Sequence, residues 1–116
     1  MFKLTQQNAL ITGATGGIGL AIAKTLASQG ANLVLSATNE EKLNTLKDEI
    51  MAEFGVDVKC LRCNLSDVNE VESLFDEAEK LFEKIDILVC NAGITRDNLV
   101  LRMKNQFYNI VILYKK

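Results

Sequence analysis

Thr12-Gly13-Ala14-Thr15-Gly16-Gly17-Ile18-Gly19 stands between two segments of different periodicity, and that change sets the architecture. Before it runs Asn8-Ala9-Leu10-Ile11-Thr12, a short apolar segment with the composition of a buried strand. After it Ile18, Ala21, Ile22 and Leu26 recur three and four residues apart, as on one face of a helix. Gln29-Gly30 stops the pattern, since glycine suits the left-handed residue that ends many helices. Glycines between a strand and a helix carry a chemical meaning. Gly13 lets the backbone leave the strand in a tight turn, Gly17 leaves room for a phosphate beside the main chain, and Gly19 lets the helix pack closely. The unpaired amides and positive end of the following helix then favour an anion. The competing reading is a turn with no ligand, and the strand–turn–helix context weighs against it. A P-loop is excluded, because the lysine and hydroxyl residue that close that motif are missing.

The rest of the chain repeats the alternation. Residues 31–36 read as a second strand. Thr38 and Glu41 have the spacing of a capping box, opening a helix whose apolar face is Leu43, Leu46, Ile50 and Phe54, closed by Gly55. Residues 56–63 read as a third strand, and Ser66-Asp67 opens a helix with the stripe Val68, Val71, Leu74, Phe75, Ala78, Leu81 and Phe82. Residues 85–90 are a fourth, almost wholly apolar strand. Strands this apolar, joined through helices by short connections, predict a parallel sheet covered on both faces. The expected fold is therefore α/β, one Rossmann-type doubly wound domain over residues 1–116, with strand order 3-2-1-4 and the first strand near the centre.

Composition narrows the function. The chain is 48% hydrophobic and 24% charged, with thirteen basic against fifteen acidic residues, so no nucleic-acid partner is expected. The N-terminus lacks the apolar run of a signal peptide, and no stretch of about 18 apolar residues predicts a membrane span, which makes a cytoplasmic protein the expectation. Cys60-Leu61-Arg62-Cys63 matches a redox or half-zinc spacing. With no histidine and no second such pair, a four-ligand zinc site cannot be assembled. In a strand, residues three apart face opposite sides, so Cys60, Cys63 and Cys90 are expected to be structural and no metal is expected.

The spacing T-G-x-x-x-G-x-G, together with Asn91-Ala92-Gly93 after the fourth strand, resembles the short-chain dehydrogenase/reductase family. Residues 86–99, continued by Arg102-Met103-Lys104, are similar to the bacterial 3-oxoacyl-acyl-carrier-protein reductases. The likeness spans roughly residues 4–112. It implies a nicotinamide cofactor with its pyrophosphate and nicotinamide ribose along Gly13, Ala14, Thr15, Gly16, Gly17 and Ile18. Thr38 would lie near the adenosine ribose, and Asn64 and Leu65 at the adenine, with the Asn64 side chain accepting from its amino group. Asn64 alone reads equally well as a turn residue flanking a helix. Asn91, Ala92 and Gly93 would border the ribose. No acid stands in Ser36-Ala37-Thr38-Asn39, where an NAD-preferring protein places one, and hydroxyls at Ser36 and Thr38 could meet a 2′-phosphate. Against this, Gly16 stands where NADPH-specific relatives often carry arginine. NADPH is expected over NADH.

The resemblance also implies reduction of a ketone on an acyl-carrier-protein-linked substrate in fatty acid biosynthesis, by a homotetramer, with a tyrosine as general acid and a lysine one turn away. This chain contains no Tyr-x-x-x-Lys: Ile112 is four residues after Tyr108, and only Lys115 and Lys116 follow Tyr114. No catalytic residue is therefore assigned, and the chain reads as the cofactor-binding part of an interrupted enzyme; a non-catalytic nucleotide-binding module is the alternative. Residues 105–112 are expected to continue as the family's helix. The fourth strand would then be an unprotected apolar edge, and most tetramer contacts would be missing.

Overall fold

The computed structural model describes residues 3–91, 108 and 110–114. Five strands form one sheet: β1 (Asn8–Thr12), β2 (Asn32–Ala37), β3 (Val58–Arg62), β4 (Ile87–Asn91) and β5 (Ile110–Tyr114). Every pairing is parallel, in the order β3-β2-β1-β4-β5, with β1 at the centre. Helices α1 (Gly17–Ser28), α2 (Glu40–Phe54) and α3 (Val68–Phe82) alternate with the strands.

The middle residues of β1, β2 and β4 are apolar because both faces of these strands are covered. Ala9 and Ile11 of β1, Leu33 and Leu35 of β2, and Ile87 and Val89 of β4 pack with Ala23 and Leu26 of α1 and Leu43, Leu46 and Ile50 of α2. The intervening residues Leu10, Val34, Leu88 and Cys90 pack with Val71, Leu74, Phe75 and Ala78 of α3. Burying each large side chain of that stripe stabilises the fold by about 1.5–3 kcal/mol. The α3 stripe is narrower than its periodicity suggests, since Leu81 is 41% exposed. Tyr108 packs against the α3 cluster.

The glycine turn is built on close backbone packing. Gly13 has φ 62, in the left-handed region, and its carbonyl accepts from the Gly16 amide at 3.1 Å. A methyl group on Gly19 would overlap the Gly13 carbonyl oxygen and lie 2.9 Å from its carbon. So Gly19 is the residue that lets α1 start against the turn.

Two expectations about local structure are corrected. The cap of α2 is Asn39, not Thr38: its side chain accepts from the Lys42 amide at 3.1 Å, and Glu41 takes no part in a capping box. Residues 110–114 form β5 rather than continuing a helix, and β5 pairs with β4 from Ile87↔Ile110 to Asn91↔Tyr114. The order 3-2-1-4 holds and gains a fifth member, so the edge predicted to be bare is covered. The physical reason is composition, because Ile-Val-Ile-Leu-Tyr is apolar and rich in β-branched residues, which suits a strand.

At the amino ends of the strands a row of polar groups ties neighbours together. Asp86, 5% exposed, accepts from the Asn8 amide at 2.9 Å, and the Asn8 side chain donates to the Lys84 carbonyl at 3.0 Å. The Asn32 side chain donates to Asn8 at 3.2 Å and accepts from the Asp57 amide at 3.1 Å. The row thus links β4, β1, β2 and the approach to β3.

Candidate functional site

At the carboxyl ends of the strands, a cleft of about 460 Å³ opens between the glycine turn and the segments that follow β2 and β3. Open α/β sheets bind ligands at this end, outside the strands and where the order of connection reverses. Here β2 and β4 leave β1 on opposite sides. Gly13, Thr15 and Gly16 form one wall of the cleft, Ala37 and Thr38 the second, and Asn64, Leu65 and Ser66 the third. Six of the residues expected from the sequence therefore meet in one place.

The others stand apart from that lining. Ala14 is fully buried in the core, with its amide donating to the Ser36 carbonyl at 3.0 Å. Gly17 is the first residue of α1, and a methyl group added there would meet nothing within 4 Å, which leaves its outer side free for a ligand. Ile18 follows on the first turn and is 46% exposed. Asn91 ends β4, while Ala92 and Gly93 lie outside the described residues.

Two expected contacts are corrected by the geometry. Ser36 is 1% exposed, so its hydroxyl is closed off from a ligand in the cleft. Its Oγ has no hydrogen-bond partner among the described residues. The Asn64 carboxamide oxygen is already engaged, accepting from the Ser66 amide at 3.0 Å and the Ser66 hydroxyl at 2.6 Å. Two lone pairs are thereby used, and the side chain shapes the turn rather than offering an acceptor to adenine. The turn is fastened further by the Asn64 amide, which donates to Glu70 at 3.2 Å. Asp67 then caps α3 through the amides of Asn69 and Glu70.

Four lining residues were not expected from the sequence, namely Ala37, Lys42, Cys63 and Ser66, and of these Lys42 bears a charge. Lys42, on the first turn of α2, is the only charged side chain in the lining, is exposed, and has no ion-pair partner among the described residues. Its signal was available: it stands three residues after the Asn39 cap, just past the segment searched for an acid. Lys42 also borders a second groove of about 340 Å³, shared with Thr15, Leu20, Thr45, Glu41 and Glu49.

The thiols are chemically quiet. Cys60 packs toward α2, with its Sγ donating to the Leu43 carbonyl at 3.4 Å, whereas Cys63, one residue past β3, belongs to the opposite cluster. Burial pushes the Cys63 thiol up to about 11, with the Glu70 carboxylate adding to the effect, and pushes Cys90 up to about 12 against a hydrogen bond from Thr12. Among the described residues no cluster of three potential metal ligands exists, and no helix is long and apolar enough to cross a membrane.

The donor set fits a dinucleotide. Among the described residues the cleft holds hydroxyls, turn backbone and a cation but no carboxylate, and the outer side of Gly17, at the start of α1, is open. Comparison with known proteins agrees. The chain is 46% identical over 112 residues to the 3-oxoacyl-acyl-carrier-protein reductase FabG of Rickettsia bellii, an alignment covering 97% of this chain and 43% of that protein. It is 49% identical to nodulation protein G of a Rhizobium species, covering 97% of this chain and 44% of that protein. The chain thus spans less than half the length of these curated relatives. Among solved structures, L-sorbose reductase from Gluconobacter frateurii, in complex with NADPH and L-sorbose, superposes with a TM-score of 0.75 at 34% identity, covering 79% of this chain and 35% of that one. A family model described as short chain dehydrogenase matches residues 7–112. A match over nearly the whole chain, on a sheet and a glycine turn of this form, places the protein in the short-chain dehydrogenase/reductase family.

Proposed function

We propose that this chain binds NADPH in preference to NADH and forms the cofactor-binding part of a reductase acting on 3-oxoacyl groups carried by acyl carrier protein. The observation that carries the cofactor reading is the cleft itself, which joins the glycine turn to Thr38 and Asn64-Leu65 with no carboxylate among the described residues. Gly13, Thr15, Gly16 and the open side of Gly17 would hold the pyrophosphate against the first turn of α1. Thr38 offers a hydroxyl at the adenosine ribose, Leu65 an apolar surface for adenine, and the end of β4 a border for the second ribose. When bound, the cofactor supplies hydride. The substrate class is supported by the function named for the Rickettsia bellii relative.

Reduction of a ketone also needs a proton donor as charge develops on oxygen. General-acid help is worth roughly 10²–10⁴-fold, and no tyrosine of these 116 residues has a lysine one turn beyond it. The 116-residue chain alone is therefore a cofactor binder without turnover, which the same observation extends to a second reading, a nucleotide-binding module with no reaction of its own. Calorimetric titration with NADPH and NADH tests the binding. Oxidation of NADPH in the presence of an acetoacetyl thioester, followed for the chain and for a version extended with a relative's C-terminal half, tests the reaction. Activity only in the extended form supports the reductase, tight binding with no activity in either form supports the module, and stronger binding of NADH overturns the cofactor assignment.

A further inference from the structure

The cofactor reading leaves open which group would recognise a 2′-phosphate, because the residues expected to do so do not serve. Ser36 is buried, Gly16 has no side chain, and Thr38 brings a hydroxyl but no charge. We infer that Lys42 is the specificity-determining residue, its ammonium reading the 2′-phosphate of a nucleotide seated between Gly16 and Thr38.

Three observations converge on it. Lys42 lines the same cleft as Gly16 and Thr38 and is the only charged side chain there among the described residues. It has no ion-pair partner among the described residues, so a phosphate would not have to displace a carboxylate. Its backbone is held in place: the Lys42 amide donates to the Asn39 cap, and the next residue, Leu43, is fully buried. The base of the side chain is thus fixed by the start of α2, while its four-carbon stem can swing between the cleft and the neighbouring groove that holds Glu41 and Glu49. A dianionic phosphate in the cleft outweighs those two exposed carboxylates and draws the ammonium inward. NADH presents a neutral hydroxyl at the same position and gains nothing from Lys42. The cation comes from the first turn of a helix, not from the glycine turn, so discrimination is separated from pyrophosphate binding.

The inference rests on the dinucleotide reading, and the test separates the two. Affinities of the purified chain for NADPH, NADH and 2′,5′-ADP are measured by calorimetry for wild type, Lys42→Ala, Lys42→Arg and Lys42→Glu. Loss of one charge-assisted hydrogen bond predicts that Lys42→Ala weakens NADPH and 2′,5′-ADP by roughly ten- to hundredfold, with NADH unchanged. Lys42→Arg keeps the preference, and Lys42→Glu reverses it, since a carboxylate repels phosphate and can accept from the ribose hydroxyl. The wild-type preference for NADPH also shrinks as salt is raised. An unchanged ratio of NADPH to NADH affinity in Lys42→Ala overturns the assignment while leaving dinucleotide binding intact, and so does an equal loss of both. A wild-type chain that binds neither nucleotide overturns the dinucleotide reading and the role of Lys42 with it.

Discussion

Adding one methyl group at Gly19 or at Gly17 should separate folding from binding, although the two glycines lie two residues apart. At Gly19 the new carbon would overlap the Gly13 carbonyl oxygen and come within 2.9 Å of its carbon and 3.3 Å of the Ala14 Cα. All three are backbone atoms, and the turn that carries them is fastened by the Gly16-to-Gly13 and Ala14-to-Ser36 hydrogen bonds. It cannot yield cheaply. Overpacking of this kind costs about 1–3 kcal/mol, and a contact with rigid backbone belongs at the upper end. Replacing glycine by alanine within a helix returns at most about 1 kcal/mol. Gly19→Ala should therefore lose about 2 kcal/mol, a fall in Tm of roughly 6–10 °C for a domain of this size. At Gly17 nothing lies within 4 Å of the added carbon, and its φ is not in the left-handed region. Gly17→Ala should hold or gain up to about 1 kcal/mol through the unfolded chain. It should nonetheless weaken NADPH, because the methyl occupies the space a pyrophosphate would use. Thermal unfolding followed by circular dichroism, with calorimetric titration of NADPH, checks both. A Gly19→Ala chain as stable as wild type would refute the crowding argument, and a Gly17→Ala chain with undiminished affinity would reduce the loop to a turn.

Other consequences are as direct. Ser36→Ala removes a buried hydroxyl without a partner among the described residues, so stability should rise by up to about 1 kcal/mol with NADPH affinity unchanged; a marked loss of affinity would mean the hydroxyl reaches the ligand. Asp86→Leu strips the Asn8 amide of its acceptor and should cost about 1–3 kcal/mol in urea denaturation. Asp86→Asn should cost less, because it keeps an acceptor oxygen and loses only an ion pair to Lys84, whose side chain is 64% exposed; equal losses would count against the network. Stability should also fall in alkali. The unfolded chain can ionise its thiols from the ordinary value of 9.0, whereas Cys63 and Cys90 resist until about 11 and about 12 when folded. The unfolded state therefore loses protons first, so the stabilisation is complete below pH 9 and disappears as pH climbs toward 11–12. Urea midpoints for wild type and Cys90→Ala should diverge across that window, and parallel curves would contradict the reasoning.

The sheet was legible in the sequence because both of its signals are local. Apolar runs alternate with 3.6-residue periodicity, and each change of period is marked by glycine or a capping residue. What escaped was the outcome of competition between neighbours. Thr38 and Asn39 both suit a helix cap, and only the backbone at Asn39, extended at φ −95 and ψ 105, decides between them. Ser36 ends a run in which Val34 already marked its face as one packed against α3, so its inward direction could have been inferred from parity. Residues 110–114 carried a strand's composition, but the family likeness favoured a helix over the local signal. Lys42 has a weak sequence signal, because a lysine on the first turn of a helix reads as an ordinary solvated charge until the fold brings it beside Gly16 and Thr38. Asn64 shows the reverse case, since the modest reading as a turn residue describes its hydrogen bonds.

The polar row formed by Asn8, Asn32 and Asp86 has a consequence for how such a protein can change over generations. It sits at the opposite end of the strands from the cleft, so the groups that lock adjacent strands in register are not the groups that meet a ligand. On the proposed reading, drift in Thr38, Lys42 and residues 64–66 alters which nucleotide is held without loosening the frame. Drift among the amino-end residues is tolerated poorly whatever the ligand. One end of the sheet is therefore conservative and the other inventive, and a lineage can exchange one cofactor preference for another in a few steps on an unchanged scaffold.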